Sequence, residues 1–184
     1  RETLLATSAD WMLEFAARYP ESPLAEEAGF HLAAATLDLE DHARTVQITG
    51  AMSRRYPDGS YLDSMLFMEG HARRAQGDRS SALQLLGRVA EEPFATPGGG
   101  RGPSEQRPLA LYSIAQIHDA AGAPELALEH YEQVAGQFRD AAEAVAQLER
   151  VELAAEELIT FPTIRAPELD LTARNVPSAD LLLY

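Results

Sequence analysis

The sequence predicts an all-α protein made of stacked helical hairpins. Three segments can be aligned with one another, and they cover residues 26–57, 63–94 and 108–139. In each segment apolar residues recur at helical spacing, a short turn interrupts the pattern, and a second helical pattern follows. Apolar residues make up 46% of the chain and are rich in Ala and Leu. This composition suits close helix packing, because alanine has the highest helix propensity and lets backbones approach.

Each predicted hairpin has turn residues of the kind found between two helices. The turns are Glu40-Asp41, Gly77-Asp78 and Gly122-Ala123-Pro124. Glycine accepts the positive φ with which helices often end, and Asp or Pro is favoured where the next helix begins. The second interval between turns is longer than the first because it contains a run of Gly and Pro from Pro97 to Pro103. We interpret that run as a flexible loop insertion.

The pattern of large and small residues in the three segments resembles that of tetratricopeptide repeats. The third segment matches best, at Leu111, Ile114, Ala115 and His118 in its first helix and at Ala127, Tyr131 and Val134 in its second. The middle segment matches at Leu66, Gly70, Ala82, Leu86 and Val89. The first segment keeps Leu32 and Ala33 but has threonine at three positions where larger residues are usual, Thr36, Thr45 and Thr49. The resemblance implies a right-handed α-α solenoid.

Small residues recur where the two helices of each hairpin are expected to cross. They are Ala33, Gly70 and Ala115 in the first helices and Thr45, Ala82 and Ala127 in the second helices. A larger side chain at these positions would push the two backbones apart. We therefore expect all six to be buried at the crossings.

These patterns divide the chain into seven segments. Residues 1–20 are expected to be the second helix of a truncated repeat, with apolar residues at Leu5, Trp11, Met12 and Phe15. The tetratricopeptide-like repeats are 21–57, which is degenerate, 58–93 and 108–139, and the Gly/Pro loop insertion is 94–107. An amphipathic capping helix is predicted over 140–160, because solenoids end in an element with a polar outer face. Residues 161–184 form the tail.

The tail has the alternating pattern of β-strands. Leu169, Leu171 and Ala173 alternate with polar residues, and Asp180 to Tyr184 is predicted as a second strand. Two strands alone are not a stable unit, so we expect a further β-domain after Tyr184. The run from Leu169 to Val176 is similar to the opening strand of macroglobulin-like β-sandwich domains in bacterial protease-trap proteins. We also expect residues before Arg1, since the chain does not begin with Met.

Two phrases that end predicted helices resemble repeats of bacterial extracytoplasmic proteins, such as envelope-assembly lipoproteins and cell-division coordinators. They are Arg18-Tyr19-Pro20 and Arg55-Tyr56-Pro57, in which Pro prevents the helix from continuing. This likeness implies a periplasmic or other extracytoplasmic location rather than a cytoplasmic one.

The overall charge and the absence of cysteine exclude several classes of function. A net charge of −14 argues against nucleic-acid binding and against docking on an anionic membrane, both of which need clustered basic residues. The chain has no Cys, so disulfides, thiolate metal sites and thiol nucleophiles are excluded. No apolar run approaches the roughly 20 residues that span a bilayer. The remaining partners are proteins or peptides.

The sequence offers no pattern of catalytic residues, and we expect neither an enzyme nor a cofactor. The glycine-rich run lacks the Lys-Ser/Thr that follows a phosphate-binding loop. The five histidines, His31, His42, His71, His118 and His130, have no metal-site spacing, and we expect no metal. His118 occupies a packing position. His31 and His71 stand on the presumed concave face as possible ligand contacts, with metal binding as the less favoured alternative.

A concave face is expected because the first helices of a tetratricopeptide stack line one wall, which is the usual binding surface. We call the following residues the wall: Phe30, His31, Ala34, Leu37, Phe67, Met68, His71, Arg74, Tyr112, Ser113, Gln116 and Asp119. Phe30, Phe67 and Tyr112 fall in one column, which is either an aromatic ladder for a peptide or a set of rings that pack into the next repeat. Arg74 is the only Arg or Lys of the wall, which disfavours a clamp for a peptide carboxylate.

The sequence therefore predicts a non-catalytic scaffold that binds a peptide or protein partner. The alternative is a structural spacer or docking module on the N-terminal side of a larger extracytoplasmic protein, with a macroglobulin-like protease trap as one example.

Overall fold

The structure, a computed structural model, describes residues 10–12, 14–15, 17–96, 99–155, 171–176 and 178. Residues 10–12, 14–15 and 17–18 are helical. The later elements are α1 (Pro23–Asp38), α2 (His42–Arg55), α3 (Leu62–Ala75), α4 (Arg79–Glu91), β1 (Pro93–Ala95), β2 (Arg101–Pro103), α5 (Arg107–Ala120), α6 (Pro124–Val134), α7 (Arg139–Leu148), β3 (Glu152–Ala155) and β4 (Leu171–Arg174). The described chain is mostly helical, as predicted.

Successive helices pack against one another in chain order. Each helix from α1 to α6 contacts the next, and α1 also contacts α3. Two clusters of buried apolar residues result. One lies among α1, α2 and α3 and includes Leu32, Ile48 and Met65. The other extends from α3 to α7 and includes Leu86 and Val134.

The three hairpin turns have the same backbone geometry. Glu40, Gly77 and Gly122 have φ of 59°, 82° and 72°, so each is in the left-handed region. In every turn this residue donates its N–H to the carbonyl three residues earlier, and the next residue donates to the carbonyl five residues earlier. In the first two turns the side chain of Asp41 or Asp78 then caps the second helix, with an acceptor distance of 3.1 Å in both. The predicted turns are confirmed.

The small residues predicted at the crossings are buried. Ala33, Ala82, Ala115, Ala127 and Thr45 have no exposed surface, and Gly70 is also buried. A Cβ atom added to Gly70 would lie 2.8 Å from Leu86 Cγ. A side chain at position 70 would therefore clash with Leu86 where α3 crosses α4.

The threonines of the first hairpin form a buried polar cluster. Thr45 Oγ1 lies 3.0 Å from Thr36 Oγ1 and 3.0 Å from the Asp41 carbonyl, while Thr36 donates to the Ala33 carbonyl at 2.9 Å. Thr49 donates to the Thr45 carbonyl at 2.9 Å. Because the hydroxyls bond to the backbone and to each other, this hairpin tolerates polar residues in its interior.

The segment predicted as a flexible loop insertion, 94–107, is instead partly a β-hairpin. Strands β1 and β2 pair antiparallel with Phe94 opposite Gly102. Phe94 is only 4% exposed and belongs to the larger apolar cluster. The Arg101 side chain also donates to the Pro93 carbonyl at 2.8 Å. A buried ring and a cross-strand bond thus hold both ends of the segment, and residues 97 and 98 lie outside the described part.

The capping helix predicted over 140–160 ends at Leu148, and β3 follows it. Strand β3 pairs antiparallel with β4, with Glu152 opposite Arg174. The Asn175 side chain donates to the carbonyls of Leu148 and Arg150, which a continuing helix would need as its own acceptors. The tail strand predicted from Leu169 is observed as β4. Its partner is β3, while the predicted second strand, 180–184, lies outside the described residues.

Candidate functional site

The wall residues come from α1, α3 and α5, the first helix of each hairpin. Helix α1 contacts α3 directly. Helix α3 is joined to α5 by two side-chain hydrogen bonds, His71 Nε2 to Ser113 Oγ at 3.2 Å and Arg74 Nη1 to Gln116 Oε1 at 2.8 Å. The structure therefore brings wall residues of the second and third hairpins into contact. The two contacting residues of α3 are one helical turn apart, and so are the two of α5.

The three rings of the aromatic column are half-buried and make different contacts. Phe30 stacks on Tyr61, with ring centroids 4.7 Å apart and an interplanar angle of 22°. Phe67 meets the His71 ring edge-on at 4.7 Å. Tyr112 contacts Tyr131 at 5.9 Å, and a second ring, Phe138, at 5.2 Å. Each ring is thus anchored by a neighbour and keeps part of its surface exposed.

The other wall residues differ in exposure. Met68 is 6% exposed and Ser113 3%, so both are buried. Ala34, Leu37, His71, Arg74 and Gln116 are half-buried, whereas His31 and Asp119 are exposed. Among these residues, His31 and Asp119 are therefore the most accessible to a partner. Met68 acts in the core instead.

The shifted pKa values at and beside the wall belong to residues of the second and third hairpins. Burial, and then the positive charge of Arg74, lower the pKa of His71 below its usual value. Burial and the charge of Asp119 raise the pKa of Tyr131, while Arg74 acts in the opposite direction. At neutral pH the site therefore presents a neutral His71 imidazole beside the Arg74 guanidinium.

The His71–Ser113 contact has the composition of a nucleophile and its base, but it lacks other parts of such a site. A catalytic pair needs a third group that orients the base and an accessible hydroxyl. Ser113 is buried, and within the described residues no carboxylate pairs with His71. We assign this contact to the packing of α3 on α5.

Sequence reasoning missed Tyr61, which lies just before α3 and stacks on Phe30. It also missed the contact between His71 and Ser113. The sequence shows that Tyr61 is an aromatic residue close to the start of a helix. It does not show which residue the ring contacts, because no sequence pattern fixes the partner of a ring at that position.

We expect the low pKa of His71 to make stability depend on pH. The unfolded chain binds a proton at the usual pKa, whereas folded His71 binds it only at lower pH. The stabilisation is therefore fully present above about pH 6.5 and is lost as the pH falls through the folded value. Urea unfolding at several pH values should show a smaller loss of stability in acid for His71→Gln than for the wild type.

The matched control for this experiment is His31→Gln, at an exposed position on α1. This variant should follow the wild-type pH profile. A His71→Gln profile that coincides with those of the wild type and the control would contradict the assignment of a buried, neutral His71.

Metal and membrane sites are not found in the described part of the chain. In these residues no group of three or more His, Asp or Glu side chains is placed to hold a metal ion. None of the described helices has the length and apolar character needed to cross a bilayer. A comparison with protein-family models finds no match, and a comparison with curated proteins finds none either.

Proposed function

We propose that the chain is a non-catalytic scaffold that binds a peptide or another protein on the wall formed by α1, α3 and α5. In this proposal the hairpins form a tetratricopeptide-like right-handed solenoid. The observation that carries it is the repetition of one hairpin geometry, with the same turn hydrogen bonds three times. Solenoids of such hairpins curve and place their first helices on the concave side, where partners bind.

The chemistry of the wall suits a peptide with both apolar and polar side chains. Phe67 and Tyr112 offer partly exposed ring surface, which contributes contact area at low entropic cost. Arg74 and Gln116 are held by their mutual hydrogen bond and can donate or accept further bonds. Asp119 adds an exposed carboxylate at the end of α5. Binding of this kind requires no cofactor.

The test begins with peptides selected from a displayed library on the immobilised chain. The exposed wall residues are then changed in one variant, His31→Ala with Asp119→Arg, because neither position belongs to the core. We expect the selected peptides to lose about tenfold in affinity, since the charge of an exposed wall residue is reversed. The matched control is Glu132→Arg, an exposed acidic position on α6. Calorimetry measures the affinities, and circular dichroism checks the fold.

Selected peptides that bind the wall variant and the wild type equally well would remove the wall from the proposal. Loss of affinity in the α6 control would contradict it as well, because the effect would then follow from net charge rather than from position.

The β3–β4 pair favours a second candidate function. A strand that directly follows α7 and pairs with a later strand is expected where a β-domain begins. In this alternative the helices are a spacer or docking module on the N-terminal side of a larger bacterial extracytoplasmic protein, and a macroglobulin-like β-sandwich follows. The test is the gene sequence beyond Tyr184. A stop codon soon after that residue would end the alternative.

A further inference from the structure

A cavity of about 430 Å³ lies between the start of α3 and the β1–β2 hairpin. The rings of Phe30 and Tyr61 line it from the helical side, and Phe94 and Pro103 line it from the hairpin. Its polar lining includes Asp63 and Glu105. The volume is in the range of sites that hold a small ligand or a large side chain.

The cavity is negatively charged and lacks a neutralising group of its own. No Arg or His lines it, and within the described residues neither Asp63 nor Glu105 takes part in an ion pair. A third carboxylate, Glu26, accepts the Tyr61 backbone N–H at 2.9 Å, and among the described residues it forms no ion pair. Two carboxylates thus line the cavity, and a third is bonded to the backbone of a lining residue.

The two arginines nearest in sequence to the cavity are engaged elsewhere. Arg101 donates to the Pro93 carbonyl and forms an ion pair with Asp58 at 2.9 Å. Arg107 donates from Nε to the Ala90 carbonyl at 2.9 Å. Both charges reduce the negative potential around the cavity, but neither side chain occupies it.

The geometry of the Asp63 carboxylate prepares it to accept a further hydrogen bond. Its Oδ1 accepts the Ser64 N–H at 2.7 Å and the Ser64 hydroxyl at 3.4 Å, and its Oδ2 accepts the Ser104 hydroxyl at 2.6 Å. Each carboxylate oxygen has two acceptor positions, so one position remains, on Oδ2. Asp63 also stands in the first turn of α3, where it already neutralises the positive end of the helix dipole. An anion in the cavity would meet two carboxylates and no free cation.

We propose that this cavity binds the guanidinium group of an arginine in a partner peptide. The planar cation would lie on the exposed surface of the Phe30–Tyr61 rings, because aromatic faces attract cations. Its N–H groups would bond to Asp63 and Glu105, and guanidinium suits such paired acceptors better than an ammonium group. The inference deepens the proposed function, on which it rests for the identity of the partner as a peptide. It names a second contact site, which shares Phe30 with the wall.

The experiment titrates the isotope-labelled chain with the blocked tripeptide acetyl-Gly-Arg-Gly-amide and follows the amide resonances by NMR. The matched probe is the same tripeptide with citrulline, which has the shape of arginine without its charge. We expect the arginine peptide to shift the signals of Tyr61, Ser64 and Ser104 and the citrulline peptide to bind at least about fivefold more weakly. Added salt should weaken the binding of the arginine peptide and leave that of the citrulline peptide unchanged.

The decisive variant is Glu105→Gln, because Glu105 is exposed and no hydrogen bond depends on it in the described chain. This variant should bind the arginine peptide with about fivefold lower affinity, whereas Glu132→Gln on α6 should leave the affinity unchanged. Asp63→Asn is a second variant, checked by thermal unfolding because Asp63 holds Ser64 and Ser104.

Equal binding of the arginine and citrulline peptides overturns the proposal, and so do shifts confined to the wall. An unchanged affinity in Glu105→Gln also overturns it. Failure of the wall variant to affect selected peptides, with cavity binding intact, would contradict the wall alone, so the two proposals fail independently.

Discussion

Replacing Gly70 by Val should destabilise the protein by about 3 kcal/mol, because the new Cβ atom has no space in the crossing of α3 and α4. That atom would lie 2.8 Å from Leu86 Cγ and 3.0 Å from Leu86 Cδ2. Leu86 has no exposed surface, and the clash is with its branch point rather than with a flexible end. Relief therefore requires a strained rotamer or separation of the helices. Chemical denaturation measures the loss.

The double variant Gly70→Val with Leu86→Ala tests the cause of this loss. Leu86→Ala alone should cost about 2–5 kcal/mol through the cavity that it leaves. Because the truncated side chain makes room for valine, the double variant should lose about 1–3 kcal/mol less than the sum of the single changes. Additive losses would show that the clash is not with Leu86.

The matched control is Gly87→Val in the neighbouring helix α4. A Cβ atom at Gly87 would meet nothing within 4 Å, and its backbone has an ordinary helical conformation. The free energy of unfolding should therefore change by less than about 0.5 kcal/mol. A large loss in this control would indicate that valine is harmful in either helix for reasons other than the crossing.

The hairpins could be predicted from the sequence because their signals are local. Gly77, Asp78 and Gly122 are within a few residues of every atom that they contact in the turns. The small residues at the crossings depend on a partner in the adjacent helix, at a separation that the repeat makes regular. Both kinds of signal can therefore be recognised in a single sequence.

The β-hairpin and strand β3 could not be predicted because their causes are non-local. The glycine-rich run has the composition of a loop, and the burial of Phe94 among the helices, together with the bonds of Arg101 to Pro93 and Asp58, holds it in place. The residues of β3 are rich in Ala and Glu, which favour helices. Their strand conformation depends on β4, which follows after a long segment of chain.

The candidate site was predicted only at the level of helix faces. The helical period places His71 and Arg74 on one face of α3, and this much follows from spacing. Their partners Ser113 and Gln116 depend on how α5 lies against α3. Tyr61 precedes α3, outside the repeating pattern of its helix, so only the fold reveals that it stacks on Phe30.

Replacing Phe94 by Ala should have the other large effect, a loss of about 3–5 kcal/mol in the free energy of unfolding. The Phe94 ring is buried in the cluster that contains Leu62, Ala90 and Leu111, so it joins the hairpin to three helices. Its removal would leave a cavity and would release β1 from the core. Chemical denaturation measures the loss of stability, and hydrogen exchange of the Thr96 amide, which donates to the Gly100 carbonyl at 3.1 Å, measures the opening of the hairpin.

Phe94→Leu is the control, because it keeps an apolar side chain of similar volume at the same place and should cost less than about 1.5 kcal/mol. A flexible insertion would behave differently, since an exposed ring in a mobile loop can be truncated with a change below about 0.5 kcal/mol. A small loss in Phe94→Ala would therefore restore the interpretation of 94–107 as a flexible loop. It would also weaken the cavity proposal, because Phe94 and the hairpin form one of its sides.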